Sequence, residues 1–111
     1  MRLGVLDVGS NTVHLLVVDA RRGGHPTPMS STKASLRLAE SIDNSGKLTR
    51  RGADKLISTL DEFAKIAISS GCAEVMAFAT SAVRDATNSD DVLARVHAET
   101  GVALQIGRAH V

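Results

Sequence analysis

Residues 7–12, DVGSNT, combine a carboxylate, a glycine and three small polar side chains between two apolar runs. Gly9 would allow close backbone approach and a positive φ, and consecutive N–H groups in such a turn can hold a phosphate oxygen. The polar side chains would add donors, and Asp7 could hold a metal ion or a metal-bound water, since hard cations prefer carboxylate oxygen. The candidate anion-binding residues are therefore Asp7, Gly9, Ser10, Asn11 and Thr12.

The same letters are also compatible with an ordinary hairpin turn, in which Gly9 and Asn11 only tolerate unusual backbone angles. The stretch is not a P-loop, because no Gly-Lys-Ser/Thr follows it and no helical pattern begins there. The pattern alone therefore leaves both interpretations open, a simple turn and an anion-binding loop.

A second polar stretch, ATSAVRDATN at residues 79–88, begins where a predicted buried strand ends. Ligands of open α/β sheets bind at the carboxyl ends of strands, which makes Thr80, Ser81 and Arg84 candidate site residues. Arg84 could present its planar guanidinium to a phosphate in a bidentate geometry. The alternative is a solvated arginine near the start of the next helix.

The other reactive residue types do not form a set. His14, His25, His97 and His110 lack the spacing of metal ligands. His14 lies within the second apolar run, and we expect it to be a core or rim histidine whose hydrogen bonds are satisfied. Cys72 is the single cysteine, and its apolar surroundings predict a small buried side chain rather than a nucleophile.

Composition limits the classes of function. The chain has 111 residues, of which 43% are hydrophobic, enough for one small domain with a core. Its aromatic content of 2% argues against a base-stacking nucleic-acid surface. The net charge of +1 gives no field that would attract nucleic acid or an anionic membrane. A single cysteine, no signal-peptide layout and no apolar run near the ~18 residues of a membrane span predict a cytoplasmic protein.

Hydrophobic periodicity predicts the elements that would position both polar stretches. The expected strands cover 3–8, 13–18, 29–40, 74–80 and 102–106, with a polar turn at 19–28 and helices at 49–70 and 88–100. Thr49 is the expected N-cap of the first helix, and Asn88 or Ser89 that of the second. The first two strands are apolar throughout, so both faces of the sheet are expected to be covered. The order β-β-β-α-β-α-β predicts a mixed sheet in an α/β domain.

Three segments, LDVGSNTVHLLV, LRLAESIDNSGKLT and FATSAVRDATN, follow one another in an order and spacing that resemble the exopolyphosphatase/guanosine pentaphosphate phosphatase family, most of all its actinobacterial members. That family is a branch of the actin-like, sugar-kinase-like and Hsp70-like superfamily. The resemblance covers residues 3–105 and implies the first lobe of a ribonuclease-H-like pair.

The resemblance also implies a chemistry. Residues 7–12 match the family's first phosphate loop, and Arg84 matches the arginine that contacts substrate phosphate. Such enzymes remove terminal phosphate from inorganic polyphosphate, or the 5′-phosphate of guanosine pentaphosphate, with Mg²⁺. Water attacks a terminal phosphorus, and the cation and the arginine stabilise the charge that spreads over the phosphoryl oxygens. Family members are often homodimers, and neither nucleic acid nor a membrane is an expected partner.

Two parts of the family pattern are missing from the sequence. They are a Ser-Gly-acidic-Glu-Ala stretch that supplies the catalytic Glu and a second phosphate loop of Asp-Ile-Gly-Gly-Gly-Ser type, so no catalytic residue is assigned. Residues 106–111, IGRAHV, match a peptide encoded by a common sequencing-library adapter, and we expect them to be a non-native tail. Residues 3–105 are then a truncated N-terminal lobe, which is expected to be a very poor catalyst alone.

Two other functions stay open. A sugar or acetate kinase of the same superfamily also begins with an Asp-x-Gly loop, although ATSAVRDATN fits such kinases poorly. A non-catalytic regulator would bind polyphosphate or an alarmone without cleaving it. The acidic residues that would distinguish such a regulator from a hydrolase are not present in this sequence.

Overall fold

A computed structural model describes residues 1–20, 24 and 27–106 of the chain. The strands are β1 (Arg2–Val8), β2 (Thr12–Asp19), β3 (Thr27–Ser35), β4 (Glu74–Ala79) and β5 (Leu104–Ile106). The helices are a 3₁₀ turn (Leu38–Ser41), α1 (Arg50–Ser69), α2 (Ala82–Asp85) and α3 (Ser89–Thr100). Much of the turn predicted at 19–28, and residues 107–111 of the predicted tail, lie outside the described residues. No helix in the described ranges has the length and apolar character needed to cross a membrane.

The strands form one mixed sheet in the order β3-β2-β1-β4-β5. β1 pairs antiparallel with β2 and parallel with β4, and β5 is parallel to β4. The predicted α/β fold with a mixed sheet is therefore confirmed. Val8 is the register partner of Ala79, so β1 and β4 end side by side at one edge of the sheet. The two polar stretches leave the sheet from this edge.

One face of the sheet carries the hydrophobic core. Burial alternates along β1 and β2, and the buried set comprises Leu6, Val8, Val13, Leu15, Leu56, Leu60, Phe63 and Val96, among others. On the other face Val5 and Leu16 are only half-buried, and Met76 is 47% exposed. The expectation that both faces are covered is wrong for the described residues, because α1 and α3 pack on the same face.

Helix α1 follows the sequence pattern closely. Thr49 is its N-cap, with the side-chain oxygen accepting the Gly52 N–H at 3.1 Å. Gly71 follows the helix with a φ of 82°. A Cβ built on Gly52 would lie 2.6 Å from the Cβ of Ser41. The first turn of α1 therefore packs directly against the 3₁₀ turn, at a separation that only glycine permits.

The third strand is shorter than predicted. β3 ends at Ser35 rather than at residue 40, and the 3₁₀ turn follows it. Leu36 and Arg37 donate their backbone N–H groups to the carbonyl of Asn11, at 2.8 and 3.0 Å. Arg37 adopts left-handed angles, with φ 51° and ψ 49°. These contacts turn the chain away from the sheet, which the apolar letters of this segment did not indicate.

Helix α3 begins as predicted but is not capped as predicted. Asn88 stands at the N-cap position and makes no side-chain capping bond. Its side-chain oxygen accepts the Leu48 N–H at 2.9 Å, and its side-chain nitrogen donates to the Leu48 carbonyl at 3.1 Å. Asn88 thus fixes the turn before α1, because a backbone N–H and C=O there lack other partners.

Candidate functional site

The loop between β1 and β2 is a tight turn closed by its own backbone. The Gly9 N–H donates to the Thr12 carbonyl at 2.9 Å. A Cβ on Gly9 would lie 3.3 Å from that carbonyl oxygen. The expected positive φ is not found at Gly9, since the described glycines with positive φ lie elsewhere. Gly9 is therefore required for close backbone approach and not for a left-handed conformation.

The loop carbonyls are turned toward the segment that follows β3. The Ser10 carbonyl accepts the Ala39 N–H at 2.9 Å, and the Asn11 carbonyl accepts the N–H groups of Leu36 and Arg37. The N–H groups of Ser10 and Asn11 have no acceptor among the described residues. Two neighbouring amides are thus left as open donors while their carbonyls are satisfied. Such an arrangement is compatible with an anion-binding loop and with an exposed hairpin turn whose amides face water.

Asp7 lies close to this loop, on the sheet face that the helices leave open. Its register partners are His14 in β2 and Phe78 in β4. The residue is exposed, and its side chain makes no hydrogen bond or ion pair with any described residue. No group of three or more His, Cys, Asp or Glu side chains with metal-binding geometry occurs within the described ranges. Asp7 therefore offers a single carboxylate, which with phosphate oxygens and water fits the coordination of Mg²⁺.

His14 differs from the expectation of a satisfied core or rim histidine. It occupies β2 directly between Asp7 of β1 and Lys33 of β3. Its Nε2 is buried and has no hydrogen-bond partner in the described part of the chain. The residue type alone does not predict this unpaired Nε2, because the hydrogen-bond partners of a strand residue depend on what covers that face of the sheet.

The second polar stretch begins beside the loop. The Thr80 N–H donates to the Val8 carbonyl at 2.9 Å, which extends the β1–β4 pairing by one residue beyond β4. Ser81 then takes φ 51° and ψ −110°, a conformation that is costly for a residue with a side chain. The strained residue redirects the chain into α2, which carries Arg84. The residue types at Thr80, Ser81 and Ala82 do not predict this strained backbone.

Arg84 is held by its neighbour in the sequence. Its Nε donates to Oδ1 of Asp85 at 2.9 Å, and its Nη2 donates to Oδ2 at 3.3 Å. This hydrogen-bonded pair raises the pKa of Arg84 and lowers the pKa of the Asp85 carboxyl. The Arg84 side chain is 28% exposed, so solvent or a ligand can reach part of the guanidinium. A phosphate at Arg84 would compete with the Asp85 carboxylate for the same donors.

The turn at residues 43–47, before α1, is hydrogen-bonded to the same region. Asp43 accepts hydrogen bonds from the Ser45 hydroxyl and from the N–H groups of Ser45 and Lys47, and these lower the pKa of its carboxyl. The Thr87 N–H donates to the Gly46 carbonyl at 2.9 Å. Together with the Asn88–Leu48 pair described above, these contacts hold the turn against the segment that carries Arg84.

The structure thus brings the loop residues, Asp7 and the Thr80–Arg84 segment to one edge of the sheet. Other reactive residues lie apart from it. Cys72 is half-buried and packs against the core, with its Sγ near Gly4. His97 is exposed on α3. His25 and His110 lie outside the described residues.

Comparison with known proteins was made on sequence and on fold. The model of the Ppx/GppA phosphatase family matches residues 17–108. The chain is 86% identical over 105 residues to Exopolyphosphatase 1 of Mycobacterium tuberculosis, covering 95% of this chain and 30% of that protein. It is 79% identical over 108 residues to Exopolyphosphatase 1 of Mycobacterium leprae, covering 97% of this chain and 32% of that protein. The chain therefore spans about a third of the length of these relatives.

Solved structures share the fold. An exopolyphosphatase from Cytophaga hutchinsonii superposes with a TM-score of 0.87 at 29% identity, over 96% of this chain and 34% of that one. The Aquifex aeolicus Ppx/GppA phosphatase also gives a TM-score of 0.87, at 25% identity, over 96% of this chain and 35% of that one. Sequence and fold agree over nearly the whole chain, and the chain belongs to the Ppx/GppA phosphatase family.

Proposed function

We propose that this chain supplies the first phosphate-binding half of a phosphohydrolase that removes terminal phosphate from inorganic polyphosphate. The observation that supports the proposal most is the pair of N–H groups at Ser10 and Asn11 that have no acceptor among the described residues. These amides follow β1, and the segment with Thr80 and Arg84 follows the neighbouring strand β4. Relatives with 79% and 86% identity carry the name Exopolyphosphatase 1, which favours polyphosphate as the substrate.

Each group has a separate task in this proposal. The Ser10 and Asn11 amides, with the Ser10, Asn11 and Thr12 side chains, donate hydrogen bonds to the oxygens of the terminal phosphate. Arg84 first releases the Asp85 carboxylate. Its planar guanidinium then donates hydrogen bonds to further oxygens of the substrate phosphates. Because the Ser10 and Asn11 amides are fixed by the backbone before substrate arrives, these two donors can stabilise developing charge on the phosphoryl oxygens without reorganisation.

Magnesium belongs to the same proposal. Asp7 would hold the ion, since it presents one exposed carboxylate next to the loop and Mg²⁺ is commonly bound by one or two carboxylates with substrate phosphates. When bound, the ion supplies charge stabilisation on the phosphate oxygens. The Asp7 carboxylate alone would repel the phosphate, so its role in this proposal is to hold the ion.

Guanosine pentaphosphate is the second candidate substrate, because the matching family model includes GppA phosphatases. Its 5′-phosphate would occupy the same loop. Competition separates the two substrates: polyphosphate should displace guanosine pentaphosphate from the complete enzyme, and the substrate with the higher kcat/KM is the physiological assignment.

The hydrolytic water needs a general base, and this sequence contains none of the family's pattern for it. We therefore propose that the chain alone binds phosphate and turns over very slowly. A chimera tests the function: residues 1–105 replace the matching region of the Mycobacterium tuberculosis relative. The chimera should release phosphate from polyphosphate with Mg²⁺ at a rate comparable to that relative, and Arg84→Ala in the chimera should abolish most of it.

An inactive but folded chimera would contradict the assignment of this lobe to that activity. Turnover by the chain alone at the rate of the chimera would contradict its dependence on the missing general base.

For the full-length protein we also propose a cytoplasmic homodimer, which light scattering on the purified full-length protein and fractionation of cells would test.

A further inference from the structure

A groove lies between the 3₁₀ turn and the first turns of α1. Its volume is about 480 Å³. Arg37, Arg51 and Lys55 supply its cationic side chains, and Glu40 supplies a carboxylate. A second concavity of about 490 Å³ shares Arg51 and Lys55 and continues along α1. The groove is therefore elongated and follows the helix.

The positive charge in this groove is weakly compensated. Arg51 and Lys55 are one helical turn apart, where like charges repel, and neither forms a salt bridge with any described carboxylate. Glu40 lies 3.9 Å from Arg37, at the limit of an ion pair. Asp54, on the wall of the second concavity, is bound by Arg95 of α3. The groove thus keeps an excess of cationic side chains exposed to solvent.

Two residues that line the groove also contact the phosphate loop. Leu36 and Arg37, which line the groove, donate their backbone N–H groups to the Asn11 carbonyl of the loop. The left-handed backbone of Arg37 is part of this connection. Arg37 therefore contacts the loop through its backbone and also lines the groove, which places a cationic residue of the groove next to the loop.

We propose that this groove is a second anion subsite, which binds the inner phosphates of a polyphosphate chain whose terminal phosphate lies in the loop. The proposal rests on the function proposed above and names where the rest of the substrate goes. A polymer with a charge on every phosphate matches three cationic side chains spaced along a groove. The described lining contains no aromatic residue, so it offers no stacking surface for a nucleobase.

Calorimetric titration of the purified chain with two probes tests this inference. Long-chain inorganic polyphosphate reaches both sites, whereas tripolyphosphate is short enough to be held at the loop alone. The double variant Arg51→Gln with Lys55→Gln should weaken binding of long-chain polyphosphate about tenfold and flatten its salt dependence. Binding of tripolyphosphate should stay unchanged. The matched control, Arg50→Gln with Lys65→Gln, removes the same charge from α1 outside the groove.

The outcomes are distinguishable. Equal loss in the groove variant and its control, or equal loss for both probes in the groove variant, overturns the groove inference. Arg84→Ala in the same chain reports on the proposed function and should weaken both probes. If Arg84→Ala weakens neither probe, or if the unaltered chain binds neither, the proposed function fails, and the groove inference fails with it.

Discussion

The N–H of Thr80, the residue after β4, donates at 2.9 Å to the carbonyl of Val8, the last residue of β1. This bond fixes the distance between the loop that follows β1 and the segment that follows β4. The loop supplies open backbone donors, and the segment supplies Arg84. In the function proposed above, the phosphate site needs both stretches, because the loop supplies the backbone donors and the segment supplies the arginine.

Arg84 is the side chain whose removal should affect phosphate binding most. Arg84→Ala should weaken tripolyphosphate binding about 10- to 100-fold, since it removes charge-assisted hydrogen bonds to the phosphate. Arg95→Ala is the control, because Arg95 also binds carboxylates but lies on α3 between Asp54 and Glu99. Calorimetry on both variants checks this, and equal affinities would remove Arg84 from the site.

Asp85 should oppose phosphate binding, since it holds the donors of Arg84. Asp85→Asn keeps the shape of the side chain and removes its charge, so we expect tighter binding of tripolyphosphate than in the unaltered chain. The same titration measures this. Weaker binding in Asp85→Asn would mean that Asp85 orients Arg84 for the ligand instead of competing with it.

Asn88 should matter for stability through its two bonds to the backbone of Leu48. Asn88→Ala leaves a partly buried N–H and C=O without partners, and we expect a loss of about 1–3 kcal/mol in the free energy of unfolding. Urea denaturation measures it. Asn44→Ala, at an exposed turn position, should change stability by less than about 0.5 kcal/mol. Similar losses in both variants would contradict the role given to Asn88.

Gly52 should resist substitution although it lies inside a helix. Gly52→Ala raises helix propensity, but the new Cβ would meet the Cβ of Ser41 at 2.6 Å. We expect a net loss of about 1–3 kcal/mol in the free energy of unfolding, because overpacking displaces the 3₁₀ turn. Ser58→Ala, exposed on the same helix, should be neutral or slightly stabilising. A stabilised Gly52→Ala variant would show that the contact is readily relaxed.

Asp43 should make stability depend on pH at acidic values. Hydrogen bonds from the Ser45 hydroxyl and from the Lys47 N–H lower the pKa of its carboxyl in the folded chain. The folded pKa is below the unfolded one, so the contribution is complete above the unfolded pKa and is lost as pH falls through the folded pKa. Urea midpoints of Asp43→Asn and the unaltered chain should differ most at neutral pH and converge in acid. A constant difference would contradict this.

The sequence predicted the elements well and their local geometry poorly. Helix α1, with its cap at Thr49, and the mixed sheet follow from apolar periodicity and helix signals that are local in the chain. The left-handed Arg37 and the strained Ser81 were not predictable, because neither residue type favours a positive φ and tertiary contacts impose it. The alternate burial of β1 was missed for a related reason. Apolar residues indicate that a face of the sheet can be covered, and only the packing of the helices shows whether it is covered.

The pair formed by Arg84 and Asp85 illustrates the same limit within the candidate site. Both letters are visible in ATSAVRDATN, yet neighbouring positions on a helix do not ordinarily face each other. The pair forms because α2 spans only Ala82–Asp85 and ends at once. The position of Arg84 could be predicted from the resemblance, whereas its partner required the structure.

The central claim is that the open amides of Ser10 and Asn11 bind phosphate. Titration of the ¹⁵N-labelled chain with tripolyphosphate, followed by amide NMR shifts, tests this most directly. The account predicts that the Ser10 and Asn11 amides shift most, together with Thr80 and Arg84, while the amides of α3 stay in place. Saturable binding with the largest shifts outside the loop, or no shift at Ser10 and Asn11, would contradict it.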